Sequence, residues 1–330
     1  MKTPVILGCA ALLSVQLCYA ADAGVVTVLD GSVRLLRGAT WYKLVEGARV
    51  QDGDVIEAAE QAQVQLEVSA GDILNVAGPA SLFVAGAAPR EGGQPAAAEF
   101  YLPQGWLKLA AKPPGAPLRL RAPLGAVDGG NAVAVVRAAA NALEIFVELG
   151  TARVSEAGRS GEAGAIEARG GDFVGRSTDR PFAVAGVAPQ AFVTAMPRYF
   201  MSSLPSRAEK FRTTRVELAI DHPISYPEAE PWLAGPYRRV FIKRLQPRLA
   251  DPAFRAAVMA NAQSYPEWSA ALAPSVAQSE AEKNLQQGKA KEPEKSALQT
   301  KAKEPDKAPE QAKAKEPEKP APWWWPFGRK

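Results

Sequence analysis

Apolar and polar residues alternate in short runs along the first half of the chain. Gln63-Val64-Gln65-Leu66-Glu67-Val68 does so with a period of two, the spacing of a strand with one face buried. Val25 to Leu29 and Ser32 to Leu36, separated by Asp30-Gly31, read as a hairpin. Gly53-Asp54-Val55-Ile56, Gly71-Asp72-Ile73-Leu74 and Gly171-Asp172-Phe173-Val174 repeat one device, a glycine-aspartate turn running into two apolar residues. Region 22–186 is therefore expected to be a β domain of strands joined by turns. The acidic stretch 45–58 fits this better than a calcium loop. With Gly53 as the sixth position of an EF-hand loop, Ala48, Val50 and Ala59 would stand where oxygen ligands are required.

From 188 the period changes. Ser225-Tyr226-Pro227-Glu228 recurs as Ser264-Tyr265-Pro266-Glu267, each with serine three residues before glutamate, the spacing of a capping box, so each is expected to start a helix. Between them, Pro236 to Gln246 places Val240, Phe241 and Leu245 on one face, with Pro247 as the stop. Asp251-Pro252 then caps a further helix carrying Phe254 and Val258 one turn apart. This predicts a small α-helical module over 188–275, with Trp232, Phe241, Phe254 and Trp268 as its core.

The two ends read differently. Residues 1–20 have a lysine at position 2, an apolar run from Val5 to Leu17, and small residues at 18 and 20, the pattern of a secretory signal peptide cut before Ala21. Lipidation at Cys9 or Cys18 fits less well, because Cys9 follows only a few apolar residues and Cys18 follows Gln16-Leu17 and not small residues. Region 276–330 repeats Lys-Ala-Lys-Glu-Pro-Glu/Asp-Lys at 289–295, 301–307 and 313–319. Alternating charges with a proline in each unit bury no apolar surface, which predicts a disordered, extended linker. It presents Trp323-Trp324-Trp325-Pro326-Phe327-Gly328-Arg329-Lys330. Trp323, Trp324, Trp325 and Phe327 suit a bilayer interface or a partner's groove, and Arg329 and Lys330 suit anionic groups, so these six are the candidate anchor or partner-binding residues.

Charge and chemistry narrow the function. The net charge is +4, and from Glu280 onward there are twelve Lys/Arg against nine Asp/Glu, which is +3; Lys2 supplies the remaining +1. The body is thus near neutral, whereas a nucleic-acid binder normally carries a clustered basic face, and export makes that role a poorer fit still. Both cysteines, Cys9 and Cys18, fall in the leader, so the mature chain is expected to hold no disulfide or thiolate metal site. After leader cleavage no segment carries the roughly twenty apolar residues of a membrane span. His222 is the sole histidine, and neither a Gly-x-Ser-x-Gly elbow nor a phosphate-cradling glycine loop accompanies it, so no catalytic, cofactor or metal residue is assigned. Asp54, Asp72 and Asp172 are the carboxylates open to a glycosidase reading, and their shared turn context favours a structural role.

The run Gly31-Ser32-Val33-Arg34 through Trp41, Leu44, Gly47 and Gly53-Asp54 to Leu66 resembles the first half of a FecR-type periplasmic domain. Its second half is suggested by Gly105-Trp106-Leu107-Lys108, by Leu118 to Pro123 leading into Ala132 to Val136, and by Ile145 to Val154 followed by Gly171-Asp172. The resemblance implies a mainly β, sandwich- or solenoid-like module. The family is best known in iron-citrate signalling, where a transmembrane regulator carries a cytoplasmic anti-sigma segment. Here a cleavable leader stands in place of that segment and the membrane helix, and Ala122-Pro123 and Gly130-Asn131 replace the family's usual Thr-Pro and Gly-Thr. The resemblance implies the fold and carries over no site residue. The expected protein is a non-enzymatic, exported binding or scaffold protein, periplasmic or secreted. Its tail would tether it to an envelope protein, a membrane surface or a cell-wall component. The alternative is a periplasmic signalling component relaying ligand status.

Overall fold

The computed structural model describes residues 22–68, 71–88, 97–112, 118–157 and 165–272, so the leader and the repeat-bearing tail with Trp323 to Lys330 lie outside it. The chain divides into two units, Met1–Ala273 and Pro274–Lys330, and every described residue belongs to the first. That unit is mainly β with a few short helices. Its early strands are β1 (Asp22–Asp30), β2 (Val33–Arg37), β3 (Thr40–Lys43), β4 (Arg49–Gln51), β5 (Val55–Ala58), β6 (Gln63–Val68) and the long pair β7 (Ile73–Ala88) and β8 (Ala97–Ala110). There follow β9 (Leu118–Ala122), β10 (Gly125–Asp128), β11 (Val133–Ala139), β12 (Ala142–Leu149), β13 (Thr151–Glu156), β14 (Ile166–Arg169), β15 (Phe173–Ser177), β16 (Arg180–Ala185) and β17 (Ala219–Pro223).

Two ladders share β7 and β8. Sheet one runs β4, β1, β6, first half of β7, second half of β8, β11, β12, β15, β16. Sheet two runs β17, β3, β2, β5, second half of β7, first half of β8, β9, β10, β13, β14. All pairs are antiparallel except β8 with β9. Both long strands bend where they pass between ladders, and the register breaks there, between Ala77 and Ser81. Glycines permit the bend: a Cβ on Gly78 would stand 1.8 Å from the Ala59 carbonyl oxygen, and Gly105 takes φ +109° with a Cβ position 2.3 Å from that of Ala80. The faces turned toward each other carry Leu35, Ile56, Leu66, Leu82, Phe100, Leu107, Val136 and Ile145 in one buried cluster. The described part of the first unit is thus a sandwich, with its core made by alternate residues of both sheets.

The Asp30-Gly31 hairpin does not form. β1 pairs with β4 and β6, and β2 with β3 and β5, so the turn is a corner between sheets. Gly31, at φ +76°, packs so closely on Ala62 that a Cβ would sit 2.9 Å from its Cα. The turns at Gly53 and Gly171 are corners of the same kind, β4 to β5 and β14 to β15, while Gly71 joins the true hairpin β6–β7. All three glycines have φ near +90°, which non-glycine residues rarely adopt.

Each sheet's outer face is covered by chain that follows β16. Over sheet one lie α1 (Gln190–Ala195) and 3₁₀ turns at Arg198–Met201 and Ala208–Phe211, with Phe192 and Phe200 packed against Ala77, Val135 and Phe173. Over sheet two lie α2 (Tyr226–Leu233), α3 (Arg238–Leu245), α4 (Pro252–Ala260) and α5 (Ser269–Leu272). Trp232, Phe241, Phe254 and Trp268 are buried, in a core the helices share with Leu36, Trp41, Val55, Phe83 and Tyr101 of the sheet.

The helix starts follow the sequence in part. Asp251 caps α4, its Oδ1 accepting from Ala253 N–H at 2.9 Å and more weakly from Phe254 N–H at 3.4 Å. Ser225 caps α2. The second Ser-Tyr-Pro-Glu opens only a 3₁₀ turn at Pro266–Trp268 before α5, because Glu267 turns to Arg238 at 2.9 Å instead of back to Ser264. On α3, Phe241 and Leu245 are buried with Ile242, but Val240 is 45% exposed, and Pro247 sits inside a 3₁₀ continuation of the chain.

Candidate functional site

The carboxylates open to an enzymatic reading are spread over separate turns and held there. Asp54 Oδ2 and Asp172 Oδ2 each accept from the backbone N–H three residues earlier, Gln51 at 2.8 Å and Arg169 at 2.9 Å. Asp72 Oδ1 accepts from Lys112 N–H at 2.7 Å, and burial, opposed by that bond, raises its pKa. Arg37 clamps Asp54 with Nε to Oδ1 at 3.0 Å and Nη2 to Oδ2 at 2.6 Å, and also donates to the Arg49 carbonyl. The next turn residue, Gly53, offers its carbonyl to Arg244 of α3, whose pKa burial pushes down against the pull of Asp54. The Asp52-Gly53-Asp54 stretch therefore docks the helices onto the sandwich.

His222 lies on β17, with Nδ1 3.1 Å from Asp221 Oδ2 and Nε2 3.1 Å from Glu228 Oε1. Glu228 also accepts from Ser225 N–H at 3.0 Å and the Ser225 hydroxyl at 2.7 Å, and from Arg34 Nη1 at 2.8 Å. Arg34 pairs with Glu57 as well and stacks 4.0 Å over the Trp41 ring. This brace ties β17, β2 and β5 to the first turn of α2. Burial pulls the Glu228 pKa up, but the Ser225 bonds, His222 and Arg34 outweigh it, so the carboxyl lies below its usual value. A depressed carboxyl contributes stability that is full above the unfolded value of about 4.3 and is lost as pH falls through the folded one. Glu228→Gln is therefore expected to flatten the loss of stability with falling pH below about pH 5, read from urea midpoints measured across that range. An unchanged slope would place the acid sensitivity elsewhere.

A second polar assembly had no forecast. Cross-strand neighbours on the outer face of sheet one form a single row, Gln65, Asn75, Lys108, Val135, Phe146 and Phe173. Its polar half is buried together with Thr27 and Glu67 beneath residues 200–207. Lys108, 2% exposed, donates to the carbonyls of Phe200 and Ser202 and pairs with Glu148 at 2.8 Å. Gln65 Nε2 donates to Thr27 Oγ1 and to the Pro205 carbonyl, each at 3.0 Å. Glu67 accepts from the Ser206 hydroxyl and from Arg207 N–H at 2.5 Å each. Burial raises the Glu67 pKa, but the Ser206, Arg207, Thr27 and Ala208 donors outweigh it and hold the carboxyl below its usual value. The one hint in the sequence is Lys108, a lone charge in Leu107-Lys108-Leu109-Ala110-Ala111.

Trp323, Trp324, Trp325, Phe327, Arg329 and Lys330 lie outside the described residues. Among the described residues, no group of three or more His, Cys, Asp or Glu side chains is arranged to hold a metal ion, and no helix is long and apolar enough to cross a membrane.

No family model matches the chain. No curated protein matches it either. Among solved structures it is similar to a protein described as a putative anti-sigma factor from Parabacteroides distasonis ATCC 8503, resolved at 1.65 Å, at 14% identity and a TM-score of 0.34 over 43% of this chain and 63% of that one. A second structure of the same description, at 2.50 Å, matches at 11% identity and a TM-score of 0.34 over 43% and 64%. The chain thus spans less than two thirds of either neighbour.

Proposed function

We propose that the protein is a non-enzymatic binding or scaffold protein of the cell envelope, exported by its leader, built on a FecR-like β domain and tethered through its C-terminal octapeptide. The observation that carries this reading is the tail sequence: three twelve-residue Lys/Glu/Pro repeats that end in Trp323 to Lys330. A solvated spacer closing on four aromatics and two cations has the composition of a tether with an anchor at its tip.

Purified mature protein is expected to co-sediment with isolated envelopes, and a version ending at Ser279 to stay in the supernatant. Equal sedimentation of both forms would overturn the tethering role. The order of FecR-like motifs favours a second reading, in which the β domain relays ligand status to a regulator. That reading predicts that deleting the gene alters the expression of other genes when ligand is supplied, and an unaltered transcript profile would refute it.

A further inference from the structure

We propose that the trough on the outer face of sheet one is a peptide-binding groove that the chain's own segment Phe200–Arg207 occupies, and that an extended segment of a partner protein exchanges into it. The floor consists of Thr27, Gln65, Glu67, Asn75 and Lys108, each at most 4% exposed, set on β1, β6, β7 and β8. A sheet face this polar has to be covered by something that offers hydrogen bonds. What covers it offers backbone. Lys108 takes the carbonyls of residues 200 and 202, Gln65 that of residue 205, and Glu67 the N–H of residue 207; the Ser206 hydroxyl is the one side chain read.

Contacts to main chain are indifferent to sequence, so the same floor accepts other extended peptides. The strap's own side chains at Met201, Ser202, Ser203, Pro205 and Arg207 are exposed and Leu204 is half-buried, so its one fully buried apolar anchor is Phe200, seated among Ala77, Val135, Phe173 and Phe192. The strap also fits imperfectly. Asn75 Oδ1, buried between Gln65 and Lys108, has no hydrogen-bond partner among the described residues. A peptide that places an N–H over it would gain a bond the resident segment lacks.

The partner segment therefore carries an aromatic residue at a tight turn, as Phe200 does, and runs on extended to a hydroxyl residue six positions later, as Ser206 does here. It avoids an acidic residue opposite Glu67. None of this involves the tail, so the groove and the tether can fail separately.

The test uses a fluorescent peptide with the sequence of residues 197–207, titrated into the full-length protein. Phe200→Ala in the protein frees the strap, and the peptide is then expected to bind about tenfold or more tighter than to the unaltered protein, because a larger fraction of grooves stands open. Adding Gln65→Ala should remove that gain, and a peptide with alanine in place of its phenylalanine should not bind. No binding to Phe200→Ala, or equal binding with and without it, would overturn the proposal. Should that variant fail to fold, hydrogen exchange of the unaltered protein decides. The Arg207 amide, bonded to Glu67, is expected to exchange about a hundredfold faster than the amides of β6 and β8; exchange in step with them would make the strap a fixed part of the fold and refute exchange of partners.

Discussion

Gly105→Ala is expected to destabilise the protein by about 3–5 kcal/mol, a large share of what holds a domain folded. Gly105 marks the bend of β8, at φ +109°, and a Cβ there would meet the Ala80 Cβ at 2.3 Å, its Cα at 2.7 Å and the Pro79 carbonyl oxygen at 2.8 Å. Two of those three atoms are backbone, in the partner strand at its own bend, so they cannot rotate away. The added methyl therefore brings both an unfavourable backbone conformation, about 1–3 kcal/mol, and overpacking of similar size. Gly38 supplies the control. Its φ is +61° with nothing within 4 Å of the Cβ position, so Gly38→Ala should cost only the backbone part, about 1–2 kcal/mol. Urea unfolding of both variants checks this. Equal losses would mean that the close crossing of β7 and β8 is not what fixes the path of the two long strands.

The second large effect is expected at Lys108. Replacing it with methionine keeps most of the buried stem but leaves the carbonyls of Phe200 and Ser202 without their donor and Glu148 without its partner. Breaking a buried pair from one side costs about 3–5 kcal/mol, and here the lower end applies because Glu148 is 25% exposed and can turn to water. Removing the acid as well should return part of the loss, so Lys108→Met with Glu148→Leu is expected to be more stable than Lys108→Met alone. A double-mutant cycle by urea denaturation reads that coupling. Purely additive losses would show that the lysine serves the two carbonyls and not the ion pair.

These two sites differ in how far the sequence announced them. The alternation of Gln63 to Val68 marks β6 to the residue, because a strand's period is local. The same alternation places Gln65 and Glu67 on a face that reads as solvated, and they are buried, because their cover comes from residues some 140 positions later. Glycine-aspartate turns were legible as turns, but a positive φ serves a corner as well as a hairpin. Whether β1 meets β2 or β6 is settled by the whole sandwich. The cap at Asp251 was legible since capping is decided within three residues; Glu267 was not, since Arg238 lies on another helix and competes for it. The brace around His222 needed three strands and a helix to assemble, and nothing in Ile220-Asp221-His222-Pro223 names Glu228 or Arg34 as its neighbours.

The most direct test of the tethering role is made in cells, by separating periplasmic, membrane and cell-wall fractions from cultures that express either the intact protein or a version ending at Ser279. The intact form is expected in the membrane or wall fraction and the shortened form in the periplasmic one. Finding the two forms in the same fraction would contradict an anchor in Trp323 to Lys330.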